Sequence, residues 1–219
     1  EDGVTTAVYT VTVNTAALPE PITPGVDNKK PASKPEVKLP FTDVSTSDWF
    51  YDDVAFVYEN GLFSGTDSRS FSPNASMTRA MLVTVLYRLE GEPTVTGRSS
   101  FTDVRSGAYY EKSVIWAAAN GIVTGTDSTS FSPDAKVTRE QLAAILYRYA
   151  QYRKLDTDAS AKLNSFTDAD SVSAYASEAL GWAVSEGLIN GASGKLMPKG
   201  DATRQVAAIL HRLVKNVLN

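Results

Sequence analysis

Three arginines and three aspartates recur at matched positions along the 219-residue chain. The arginines follow threonine at Thr78-Arg79, Thr138-Arg139 and Thr203-Arg204. The aspartates close the triplets Phe41-Thr42-Asp43, Phe101-Thr102-Asp103 and Phe166-Thr167-Asp168. A guanidinium is a planar fork that meets a planar anion with two parallel charged hydrogen bonds. Each Thr-Arg pair opens an apolar helical stripe, and the first turn of a helix offers unpaired amides and a favourable dipole to an anion. Arg79, Arg139 and Arg204 therefore stand where an acidic group can be held. In the plainer reading they pair with Asp43, Asp103 and Asp168 and stitch the repeat together. Both roles are compatible, because a structural aspartate can pre-orient an arginine. The aspartates are in turn candidates to cap the short segment before the next helix.

Other chemistry is scarce. There are no cysteines and one histidine, His211, so thiolate sites, disulfides and histidine-rich metal clusters are excluded. Asp67-Ser68 and Asp127-Ser128 lack the alternating oxygen ligands and terminal glutamate of a calcium loop, and neither metal nor cofactor is expected. The formal net charge of -4, from 21 basic and 25 acidic residues, gives no basic surface for nucleic acid. No stretch approaches the ~20 apolar residues of a membrane span. The acids recur threefold rather than as the asymmetric pair of a glycosidase, and nothing frames a nucleophile elbow, so no catalytic residue is assigned.

The elements that position the recurring charges are themselves repeated. Spacings of 60 and 65 residues separate the three Phe-Thr-Asp triplets. Each unit carries a glycine after its first helical segment (Gly61, Gly121, Gly187), a second glycine (Gly65, Gly125, Gly191), then a proline (Pro73, Pro133, Pro198) and Thr-Arg. GTDSRSFSPNASMTR in copy one matches GTDSTSFSPDAKVTR in copy two, whereas copy three has drifted to NGASGKLMPKG. Each copy reads as two helices joined by a tight loop. Gly61, Gly121 and Gly187 suit the left-handed residue that ends the first helix, and Thr78, Thr138 and Thr203 suit the N-cap of the second. Only Thr138, with Gln141, completes a capping box. Three such units share one core, as a closed pseudo-threefold arrangement or an open solenoid. Residues 1–40 differ: TAVYTVTVN at 6–14 looks like one strand, and the prolines and lysines that follow read as a spacer. With Glu1 first, the chain reads as a piece of a longer polypeptide.

The Phe-Thr-Asp-Val opening, the Asn-Gly loop start, the Phe-Ser-Pro turn and the Thr-Arg helix entry together resemble the S-layer homology domain, repeated over 41–100, 101–165 and 166–219. The resemblance implies an all-α, three-pronged unit around a central helical bundle. It implies an extracellular module at the cell wall or S-layer that anchors its protein by binding a secondary cell-wall polysaccharide, anionic and often pyruvylated, in grooves between repeats. It implies no membrane insertion, and it leaves S-layer self-assembly to a region upstream. By the same resemblance Arg79, Arg139 and Arg204 are ligand-binding. The family's Thr-Arg-Ala-Glu is altered here to Thr-Arg-Ala-Met81, Thr-Arg-Glu-Gln141 and Thr-Arg-Gln-Val206, which weakens capping in copies one and three.

For a sugar ligand, Asp43, Asp103 and Asp168 are candidate acceptors from hydroxyls. Trp116 and Trp182, with Phe56 at the matching position, are candidates to stack on a sugar face or to fill the core. Gly65, Gly125 and Gly191 would let a ligand approach loop amides, or simply make a tight turn. Trp49, before the first helix of copy one, reads as structural. The competing function is a protein-interaction or self-assembly module, which exposed uncharged aromatic grooves would favour.

Overall fold

A computed structural model describes residues 38–218; the strand-like run at 6–14 and nearly all of the spacer lie outside them. The described chain forms two α-helices per copy. These are α1 (Tyr51–Glu59) and α2 (Arg79–Leu89), α3 (Glu111–Ala119) and α4 (Arg139–Tyr152), then α5 (Ser177–Ser185) and α6 (Val206–Arg212). Among the described residues extended pairing is confined to isolated bridges, so the fold is all-α.

The first helix of each copy stops where the sequence implies. Gly61, Gly121 and Gly187 have φ of 65°, 68° and 65°, a conformation open to glycine without strain. The reversal is locked by Gly61 N–H to the Tyr58 carbonyl and Leu62 N–H to the Val57 carbonyl, and the same bonds recur in the other copies. Thr78 caps α2 by accepting from the Met81 amide at 3.2 Å. Thr138 accepts from the Gln141 amide, and Gln141 Oε1 accepts from the Thr138 amide at 3.0 Å, which completes the capping box.

Copy three departs from the expected pattern. Thr203 caps nothing, and α6 begins at Val206. The amides of Val206, Ala207 and Ala208 bond to carbonyls three residues back, so the first turn is wound tighter than α. The far end relaxes the other way, into a π-helical turn at Leu213–Leu218.

The packing goes beyond the sequence pattern. The second helix of each copy packs on the first helix of the next: α2 on α3, α4 on α5, and α6 back on α1. Leu82, Leu86, Leu142, Leu146, Leu210 and Leu213 are fully buried along the second helices, each stabilising by ~1.5–3 kcal/mol relative to exposure. At the centre, Met77 N–H donates to the Ala202 carbonyl at 2.7 Å, Ala202 N–H to Val137 at 2.8 Å, and Val137 N–H to Met77 at 2.9 Å. That three-membered ring of backbone hydrogen bonds, with bridges Ser76–Thr203, Thr78–Lys136 and Thr138–Asp201, closes the repeats on themselves and removes the solenoid alternative.

Candidate ligand grooves between repeats

Each Thr-Arg arginine reaches into the following copy rather than its own. Arg79 Nε donates to the Phe131 carbonyl and Nη2 to Thr124, both at 2.8 Å. Arg204 Nε donates to the Phe71 carbonyl at 2.6 Å and Nη2 to Ser64 at 2.8 Å, which joins copy three to copy one. Arg139 Nε donates to the Leu196 carbonyl at 2.7 Å. The Arg79 guanidinium lies over the Phe131 ring, and that of Arg204 over Phe63 and Phe71. The expected pairing with the aspartate of the same copy does not form. The nearer carboxylates are those of the next copy, Asp103, Asp168 and Asp43, and none is within 4.0 Å as an ion pair among the described residues.

Burial pulls all three arginines below their ordinary pKa, and the neighbouring aspartate pulls back in each case. Arginine stays charged under such a shift. The result is three cations, two of them (Arg79 and Arg204) almost fully buried, solvated by carbonyls and not neutralised by a contact carboxylate.

The amides at the start of the second helices are not free, contrary to the sequence expectation. Arg79 and Ala80 N–H donate to the Ala135 and Pro133 carbonyls, Arg139 and Glu140 to Gly200 and Pro198, and Arg204 and Gln205 to Ala75 and Pro73. The neighbouring copy's loop consumes them, because that loop is what the helix end docks against.

The aspartates do not cap the segment before the first helix. Asp43 accepts from the Phe71 and Ser72 amides at 2.8 and 2.7 Å. Asp103 does the same to Phe131 and Ser132, and Asp168 to Leu196 and Met197. Ser72, Ser132 and Met197 have positive φ (57°, 58°, 52°), a strained conformation for a side-chain-bearing residue. The carboxylate holds that turn and thereby fixes the carbonyls of Phe71, Phe131 and Leu196 on which the arginines close. Gly65, Gly125 and Gly191 belong to the same turns. A Cβ at Gly125 would stand 2.3 Å from the Asp127 carbonyl oxygen.

Trp116 and Trp182 lie in the core. Trp182 has no exposed surface and packs edge-on with Tyr147, and Trp116 packs with Tyr87 and Tyr152. Neither ring turns a face outward, so neither is placed to stack on a ligand here. Phe56 stacks on His211, which hydrogen-bonds Asp53 through Nδ1 at 2.7 Å. The outward aromatics are others: Trp49, Tyr109 and Tyr175, exposed by 66%, 64% and 55%. Each stands two residues before the first helix of its copy. The reading of Trp49 as structural set Tyr109 or Tyr110 at its place in copy two but missed Tyr175 as the equivalent in copy three, a match visible in the alignment of the three helix starts.

These parts meet in three equivalent grooves of about 520, 380 and 400 Å³, within the ~300–1,000 Å³ usual for ligand sites. The first is walled by α2, with Gly65, Arg88, Tyr109 and Arg204. The second is walled by α4, with Gly125, Gln141, Arg148, Tyr175 and Arg79. The third is walled by α6, with Gly191, Arg212, Trp49 and Arg139. Every groove takes its wall and loop from one copy, its exposed aromatic from the next and its buried arginine from the one before. Arg88, Arg148 and Arg212 were missed by the sequence reading, although Leu-Tyr-Arg, Leu-Tyr-Arg and Leu-His-Arg mark them.

Known proteins carry the same pattern. The S-layer homology domain matches at residues 40–80, 100–143 and 165–207. An endoglucanase of Bacillus sp. (strain KSM-635) is 32% identical over 171 residues, 78% of this chain and 18% of that protein. An amylopullulanase of Thermoanaerobacterium thermosulfurigenes is 29% identical over 181 residues, 80% of this chain and 9% of that protein. The surface-layer 125 kDa protein of Lysinibacillus sphaericus is 31% identical over 137 residues, 59% of this chain and 11% of that protein. The chain thus spans less than a fifth of each of these relatives. With three matches in the order and spacing of the three copies, the chain belongs to the S-layer homology domain family, a non-catalytic module that attaches proteins at the cell wall or S-layer, outside the cell.

Proposed function

We propose that the three grooves bind an anionic secondary cell-wall polysaccharide, for which a pyruvylated sugar is a fitting substituent, and so hold a larger surface protein on the wall. The observation that carries this reading is the set of three guanidinium groups, one at each groove and two of them almost fully buried, without a contact carboxylate. A desolvated cation attracts an anion far more strongly than an exposed one. The carbonyl bonds of Arg79 and Arg204 use Nε and Nη2 and leave Nη1 as a donor. The exposed ring of Trp49, Tyr109 or Tyr175 supplies a flat surface for the apolar C–H face of a sugar. A groove with both elements suits an acidic saccharide better than a protein helix, which would ask for a continuous apolar stripe.

What the whole protein carries to the wall belongs to the part beyond this chain. The relatives' names include glycoside-cleaving enzymes and surface-layer proteins, and cargo of either kind fits an anchor of this sort. The test is co-sedimentation with purified sacculi before and after chemical removal of the secondary polymer. Binding that disappears on stripping supports the reading, and binding unchanged by stripping refutes it.

A further inference from the structure

The three grooves share a plan but differ in how far the arginine on the second helix is already engaged. In the first groove Arg88 Nη1 donates to the Leu62 carbonyl at 3.1 Å, and its Nε stands 3.8 Å from Glu92. In the third groove Arg212 Nη1 donates to the carbonyls of Gly187 and Leu188 at 3.2 and 2.9 Å. Both side chains are committed to the turn that ends the first helix of their own copy. Arg148, the equivalent residue of the second groove, has no hydrogen bond or ion pair with any described residue. It lines the groove half-buried, with its donors unspent.

The surroundings of Arg148 are cationic as well. Arg79 faces it across the groove closely enough that the two guanidinium charges repel. The acids nearby are already occupied. Asp103 is held by two loop amides. Glu140 is held by Lys199 Nζ at 2.6 Å and by the Ser173 amide and hydroxyl at 3.0 Å. Glu140 also accepts from the Tyr175 hydroxyl at 3.2 Å, which anchors the exposed ring of this groove beside Arg148. Copies one and three have Ala80 and Gln205 where copy two has Glu140, so their outward aromatics lack this tether. Gln141 adds a donor: its Oε1 is turned to the Thr138 amide, which leaves its NH₂ on the groove.

We propose that the second groove is the one that selects an acidic substituent on a saccharide, with Arg148 reading the acid and the tethered Tyr175 holding the ring beneath it. In the first and third grooves the second-helix arginine is spent on carbonyls, which leaves one cation, Arg204 or Arg139, to face the polymer. This rests on the polysaccharide reading above and assigns unequal work to its three sites. The shared chemistry is a carboxylate or a phosphate ester. Either meets an unspent guanidinium with charged hydrogen bonds, and an anion between Arg148 and Arg79 also relieves their mutual repulsion.

The experiment uses the full chain and polymer released from sacculi of an S-layer-bearing bacillus, measured by calorimetry. Three forms of polymer are compared: untreated, carboxyl-amidated, and dephosphorylated with cold hydrofluoric acid. Four proteins are compared: the unaltered chain, Arg148→Gln, Arg88→Gln and Arg212→Gln. Arg148→Gln is expected to weaken binding of untreated polymer about tenfold or more, as loss of a charged hydrogen bond does. Arg88→Gln and Arg212→Gln remove groove side chains already engaged by carbonyls, so their losses should be smaller than that of Arg148→Gln and the same on all three forms of polymer. One of the two treatments should weaken the unaltered chain by a similar factor and leave Arg148→Gln almost unaffected, which also names the acid. Equal losses in all three variants, or an Arg148→Gln chain as sensitive to the treatments as the unaltered one, would overturn the proposal while leaving the polysaccharide reading intact. Binding indifferent to both treatments would overturn the proposal and the anionic part of that reading. Absence of any binding to untreated polymer would overturn both.

Discussion

Removing the Arg204 side chain should open the molecule at the seam between copy three and copy one. Arg204→Ala deletes two charge-assisted hydrogen bonds, to Phe71 and Ser64, worth ~1.5–3 kcal/mol each. It also removes the guanidinium from over Phe63 and Phe71, worth ~0.5–2 kcal/mol. Opposing this, the alanine variant no longer bears the desolvation of a buried cation, a cost of several kcal/mol. The balance is a loss of about 3 kcal/mol, or roughly 6–12 °C in Tm for a chain of this size. Differential scanning calorimetry with circular dichroism at 222 nm measures it. An internal ranking sharpens the test. Arg79→Ala should match Arg204→Ala, because both arginines make two bonds and are almost fully buried. Arg139→Ala should lose about half as much, since that half-exposed side chain makes one bond, from Nε to the Leu196 carbonyl. Arg204→Lys should recover less than half of the loss, because an ammonium cannot span two carbonyls with a planar fork. A fall of less than about 2 °C for Arg204→Ala would mean that the arginines do not hold the copies together.

Three further outcomes follow from particular contacts. Gly125→Ala places a Cβ 2.3 Å from the Asp127 carbonyl oxygen and 2.6 Å from that of Ser130, so urea unfolding should show a loss of about 2–4 kcal/mol with the second groove distorted first. Burial alone pushes the Glu140 carboxyl up, but Lys199 and the Ser173 amide and hydroxyl outweigh it and hold the group below its ordinary value. Its stabilising share is then present above the ordinary glutamate value and lost as pH falls through the lowered one. The Tm gap between the unaltered chain and Glu140→Gln should therefore be widest near neutral pH and shrink in acid; a gap independent of pH would refute it. Trp49→Ala and Tyr109→Ala remove rings with little buried surface, so Tm should stay within about 2 °C while co-sedimentation with sacculi falls severalfold.

Much of the fold was legible in the sequence because its determinants are local. A glycine that must be left-handed after α1, α3 and α5, a threonine at the start of α2 and α4, and an apolar stripe at helical spacing each act within one turn. They fail at Thr203, where the first turn is wound tighter than α and the helix begins only at Val206. The threonine alone does not say so, since Thr78 caps α2 with Met81 at the matching third position. The site was legible only in part. Arg79, Arg139 and Arg204 and the three glycines were found because they repeat. The direction in which each arginine reaches was not, since nothing in a repeat says whether its partner lies within it or in the next copy. The aspartates were misread as caps for a related reason: their bonds to Phe71, Phe131 and Leu196 span 28 residues. For Trp116 and Trp182 the sequence left stacking and core packing open, and their burial decides for the core. A tryptophan at a repeated position suits the core as well as a groove, and the more polar helix start before it held the exposed rings.

The way each groove is assembled explains why the copies occur in threes. Take away copy three, and the third groove loses its wall, α6. The first groove loses Arg204, and the second loses Tyr175. Removing any one copy damages every groove, so a two-copy protein should retain none of the binding rather than two thirds of it. Linked sites on one repetitive polymer can multiply avidity by ~10²–10⁴, and that gain would vanish in a single step. Truncation also exposes the helix faces on which copy three packs, so loss of binding there could reflect unfolding alone. A circular permutant separates the two cases. Opened between copies one and two, with copy three joined to copy one by a flexible linker, it contains the same residues and can form the same three-membered ring. It should sediment with sacculi as the unaltered chain does. A permutant that folds, as judged by helical content and Tm, but does not bind would show that chain order matters beyond the ring, against the cyclic assembly argued from the arginines.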